Sequence, residues 1–85
     1  MKEWKTIRYA SCDDGYNAAE LMLDKVPLTD HYEWTVHMGR LKPNTNYSKN
    51  YGWFHSEKEA KEIFEEVLSQ NTDFIETNDI PFRIS

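Results

Sequence analysis

The chain has 85 residues and a net charge of −5, and a chain of that size buries roughly 60–65% of its unfolded surface, which excludes a second domain and a deep, enclosed active site. With 39% hydrophobic and 14% aromatic residues, its body is too apolar to be disordered. A lone cysteine, Cys12, excludes an internal disulfide and suits a reduced, cytoplasmic setting, and no segment has the length of a membrane span or the apolar run of a signal peptide.

Glu3 to Ser11 alternates, with Lys5, Ile7 and Tyr9 on one side and Trp4, Thr6, Arg8 and Ala10 on the other, which predicts a strand. Cys12-Asp13-Asp14-Gly15 is turn chemistry. The two carboxylates beside Cys12 disfavour a thiolate, so it reads as a small packing residue rather than a nucleophile. Asn17 and Glu20 form a capping box, predicting a short helix from about Ala18 to Lys25 that Pro27 ends. Its apolar residues are Ala18, Leu21 and Met22; Leu23 falls off that stripe.

His31 to Leu41 alternates again. Tyr32, Trp34, Val36 and Met38 share one face, and His31, Glu33, Thr35 and His37 the other, as in a half-buried strand. Lys42 to Ser48 is loop-forming, and Tyr51 to His55 returns as a partner strand. Ser56 then stands at an N-cap with Glu59 three residues on. Ala60, Ile63, Phe64, Val67 and Leu68 follow at helical spacing, against a polar face of Glu57, Lys58, Lys61, Glu62, Glu65 and Glu66. After Asn71-Thr72-Asp73, a last strand is expected at Phe74-Ile75 or over Ile80 to Ile84. Strand, helix, strand, strand, helix, strand is the ferredoxin-like α+β order, βαββαβ, with two helices on one face of an antiparallel sheet.

The uncovered face of such a sheet would show His37, Tyr51 and Trp53, a platform for a ligand or for the seam of a homodimer. Lys49 to Ser56, KNYGWFHS, resembles the ribonucleoprotein signature of RNA-recognition motif domains through Lys49, Tyr51 and Gly52. Asn50 and Ser56 depart from it, and Thr6 to Ser11 does not supply the companion motif. In that family the residues matching Tyr51 and Trp53 stack on bases, so the resemblance implies single-stranded RNA or DNA binding.

No catalytic constellation, phosphate loop or cofactor motif is present, and a non-enzymatic protein is expected. His31 and His37 lie six residues apart on one strand, about 20 Å, too far to share an ion, so no metal is expected. Charge is the remaining signal. Residues 1–56 carry seven basic and seven acidic side chains, whereas residues 57–79 carry eight acids against Lys58 and Lys61. Such a field repels phosphate and attracts basic surfaces. Glu62, Glu65, Glu66, Asp73 and Glu76 are therefore the candidate partner-binding residues. The expected function is docking on a protein with a basic surface, as an inhibitor or modulator of a larger, nucleic-acid-handling complex of the kind phages and mobile elements target. Single-stranded nucleic-acid binding through Tyr51 and Trp53 is the alternative.

Overall fold

The computed structural model describes residues 4–13, 18–40 and 49–80. Strands β1 (Lys5–Asp13), β2 (Ala18–Pro27), β3 (Tyr32–Arg40) and β4 (Lys49–Phe54) run as an antiparallel meander. Helix α1 (Glu57–Gln70) follows, then β5 (Ile75–Thr77), and the sheet order is β4-β3-β2-β1-β5. The helix carries the chain from one sheet edge to the other. Its 14 residues span about 21 Å at 1.5 Å each, against about 19 Å for four inter-strand steps. The length of α1 thus matches the width it must cross.

The expected ferredoxin-like arrangement is not what forms: among the described residues five antiparallel strands are covered by one helix, and the segment predicted as the first helix is β2. Ala, Leu, Met, Glu and Lys in AAELMLDKVP all favour a helix in isolation, and the apparent capping residue Asn17 lies outside the described residues. Packing overrides propensity here because β2 is the middle strand. Ala19, Leu21 and Leu23 point toward α1, while Ala18, Glu20, Met22, Asp24 and Val26 point away, and all eight are buried. Leu23, the residue that broke the helical stripe, fits a two-residue period.

Under the helix, Ala10, Ala19, Leu21, Leu23, Val36 and Met38 pack against Ala60, Phe64 and Val67, with Phe74 closing the end. Ser56 caps α1, its hydroxyl accepting from the Glu59 N–H at 3.2 Å. The last strand, Ile75–Thr77, pairs with β1 and shares only Ile75 with the expected Phe74-Ile75; of the other candidate, Ile80 to Ile84, residues 81–84 lie outside the described set, as do residues 41–48. No helix among the described residues is long and apolar enough to cross a membrane.

Candidate functional site

Two surfaces present polar chemistry, one on each side of the sheet. On the outer side of α1, Glu59, Glu62, Glu65 and Glu66 are exposed, and Asp73 is exposed just past the helix end. They are not equivalent. Arg8 on β1 donates to Glu76 through two bonds of 2.8 Å and to Glu65 at 3.1 Å, while its guanidinium lies 4.6 Å from the Phe64 ring centroid. Glu65 and Glu76 are therefore ion-paired within the molecule, sharing the single positive charge of Arg8. The Arg8 hydrogen bond holds the Glu76 carboxyl below its ordinary range, against the opposing effect of burial. Lys61 pairs with Glu57 at 2.9 Å and holds it low in the same way.

Glu59, Glu62, Glu66 and Asp73 have no cationic partner within ion-pair distance among the described residues. Spacings of three and four residues align the three glutamates along one helix face, about 10 Å from first to last. The structure thus divides the five sequence candidates: Glu62, Glu66 and Asp73 face solvent unpaired, and Glu65 and Glu76 serve the fold. Glu65 stands four residues after Lys61, yet that lysine pairs with Glu57 instead. The signal that separates the two sets is Arg8, which is distant in sequence and reaches Glu76 across the β1–β5 pairing and Glu65 from beneath α1.

The far side of the sheet is less open than the sequence suggested. At its centre Glu20 and Asp24 are each 3% exposed and Thr35 1%. Tyr9 donates its hydroxyl to Glu20 at 2.9 Å. Asp24 accepts from Thr6 Oγ1 at 2.6 Å and from His37 Nε2 at 2.6 Å, and the Trp4 side chain also bonds to it. Burial pushes the Asp24 carboxyl upward, but the bonds from His37, Thr6 and Trp4 outweigh it and leave it below its ordinary range. A buried, ionised carboxylate can only accept, so His37 carries a proton on Nε2.

Beside this network lies a cleft of about 360 Å³ lined by Trp4, Thr35, His37, Asn50 and Trp53. Trp4 and Trp53, 49% and 50% exposed, meet edge to face with centroids 6.4 Å apart. Tyr51 is not part of it. The register between β3 and β4 shifts between Val36 and His37, and this bulge turns Tyr51 to the helix side, where it packs against the core. Burial raises its phenol above the ordinary value. Of the expected platform, His37 and Trp53 share the far face, and the second aromatic there is Trp4. Its position before β1 gave no sign of this, because only sheet pairing brings β1 and β4 toward one cleft.

The chain matches no protein-family profile, no curated protein and no solved structure.

Proposed function

We propose that this protein is a non-enzymatic binding module that docks on a basic protein surface through Glu62, Glu66 and Asp73, in the reduced interior of a cell. The observation that supports this reading is the exposed row of carboxylates on α1 left unpaired while neighbouring acids are ion-paired with Arg8 and Lys61. Desolvating a carboxylate is costly unless a cation meets it, so a partner must bring Lys or Arg to this row. Complementary charge of this kind raises the rate of encounter and fixes register. A carboxylate row can occupy a basic groove that otherwise takes phosphates, and in that setting the module would inhibit or modulate a nucleic-acid-handling complex. The single-stranded nucleic-acid reading needs Tyr51 and Trp53 side by side. With these two on opposite faces, the docking reading is the better supported.

The test is capture of partners from nuclease-treated lysate, comparing the wild-type chain with E62K/E66K/D73K. A protein retained at low salt, released at high salt and not captured by the triple variant supports the proposal. These positions are exposed, so the unfolding midpoint of the variant should match the wild type within a few degrees. Retention of the same partner by the variant, or its loss on nuclease treatment, would overturn it.

A further inference from the structure

The cleft on the far face lies across the sheet from the acidic row, so what it holds is independent of docking through α1. Its floor comes from cross-strand partners: His37 stands opposite Asn50, and Thr35 opposite Trp53. Side chains paired in this way share a face, with Cβ atoms about 4.5–5.5 Å apart. Trp4 reaches the same place from before β1, where its indole bonds to Asp24 and meets Trp53 edge to face. A cleft of about 360 Å³ is of the size that small ligands occupy.

Most polar atoms around it are already committed. Thr35 Oγ1 donates to the Gly52 carbonyl at 3.0 Å and accepts from Asn50 Nδ2 at 3.3 Å, while Asn50 Oδ1 accepts from the Gly52 N–H at 2.8 Å. Two groups remain. Asn50 Nδ2 carries a second hydrogen, and His37, whose Nε2 proton goes to Asp24 at 2.6 Å, keeps Nδ1 as an acceptor. Neither has a further partner among the described residues. One acceptor beside one donor is the complement of an N–H next to a C=O. Edge-to-face contact covers at most one face of either indole, and both indoles are half exposed, so a flat ring can stack there. Lys49, at the rim, turns its ammonium onto the Tyr51 ring at 4.9 Å. With a net charge of −5 on the chain as well, the cleft suits an uncharged ligand rather than a phosphate.

We propose that this cleft binds an uncharged, flat lactam heterocycle, of the kind found in the hypoxanthine and uracil rings of nucleosides. The ring stacks on Trp53, its N–H donates to His37 Nδ1, and its C=O accepts from Asn50 Nδ2. Asp24 is a positioning residue here, since its bond fixes the His37 proton on Nε2 and leaves Nδ1 for the ligand. Asn50 is likewise held in place by the Gly52 N–H and by Thr35, which lowers the cost of ordering it on binding. The same lactam edge occurs in free nucleosides and in the bases of a strand, and the charge of the chain favours the free form.

Titration of the isotope-labelled protein with inosine and with uridine, followed by NMR, tests this. The indole N–H signals of Trp4 and Trp53 and the side-chain amide of Asn50 should move and saturate, while the indole signal of Trp34 stays in place. The ring-N-methylated forms of both nucleosides lack the lactam N–H and should bind at least about tenfold more weakly. W53A and N50D should each weaken binding by at least about tenfold. N50D retains the oxygen that accepts from Gly52 but loses the donor, and both residues are exposed, so circular dichroism spectra and unfolding midpoints should match the wild type. Inosine monophosphate and a short oligoinosine strand distinguish the sources, and both should bind more weakly than inosine. No saturable shift with either nucleoside would overturn the proposal. So would wild-type affinity in both W53A and N50D, equal binding of the methylated forms, or tighter binding of the strand.

Discussion

Arg8 and Glu76 are joined by two parallel hydrogen bonds of 2.8 Å, Nε to Oε2 and Nη2 to Oε1. The remaining Nη1 donates to Glu65 on α1 at 3.1 Å. One side chain of β1 therefore holds both the edge strand β5 and the helix that delivers it. Bidentate geometry fixes both partners and makes this a stronger contact than a single surface pair. The pair is partly exposed, which limits its worth through solvent screening.

Replacing Arg8 by Met is expected to cost about 1–2 kcal/mol, or roughly 4–8 °C of unfolding midpoint per kcal/mol in a domain of this size. Glu76 is held below its ordinary value of 4.5, first by its hydrogen bond to Arg8. Its contribution is thus complete above that value and lost as pH falls through the lower folded value. The stability gap between wild type and E76Q should narrow steadily in acid. A gap that stays constant from neutral pH to pH ~3 would show that the clamp is not electrostatic.

Asp24 collects donors from three side chains of the far face: Trp4 before β1, Thr6 on β1 and His37 on β3. Removing the acceptor leaves those donors facing one another in a buried site. D24A should therefore destabilise by about 3 kcal/mol, measured by urea unfolding at neutral pH. The carboxyl is held below its ordinary value of 3.8, so this contribution is present above that value and disappears as pH falls through the folded one. If D24A unfolds at the wild-type urea concentration, the network is not holding the face together.

Much of this architecture is legible in the chain, and the exception has a definite cause. The alternation of Trp34, Val36 and Met38 against Glu33, Thr35 and His37 marks β3 because one of its faces is wetter than the other. The Ser56 cap and the Ala60–Phe64–Val67 stripe mark α1 for the same reason. β2 is buried on both faces, and its far face uses Glu20 and Asp24 where apolar residues would have shown the period. Polar residues satisfied by Tyr9, Thr6 and His37 thus disguise a central strand as an amphipathic helix. Similarly, no local signal reveals that Arg8 claims Glu65 and Glu76, since one contact exists only after α1 has packed on the sheet and the other only after β5 has docked.

The strand assignment of β2 makes its own test. A helix with an apolar stripe through Ala18, Leu21 and Met22 would leave Leu23 near the surface, where truncation costs little. In the sheet, Leu21 and Leu23 are both fully buried against the helix layer. L21A and L23A should each cost about 3 kcal/mol. Equal losses support β2, whereas a loss confined to L21A would favour the helix.

Gly52 is where the bulge of β4 is set. Its φ of +132° lies in a region side chains rarely adopt, and an added Cβ would meet the Phe54 ring at 3.2 Å. Its N–H donates to Asn50 Oδ1 at 2.8 Å and its carbonyl accepts from Thr35 Oγ1 at 3.0 Å, so the backbone cannot relax without breaking both. G52A should therefore cost about 1–3 kcal/mol. The same bulge keeps Tyr51 on the helix side, where burial raises its phenol above 10.0. If G52A straightens the strand, Tyr51 turns outward and its phenol returns toward the ordinary value. NMR titration of the Tyr51 ring would register that return, which a simple loss of stability at an intact bulge would not produce.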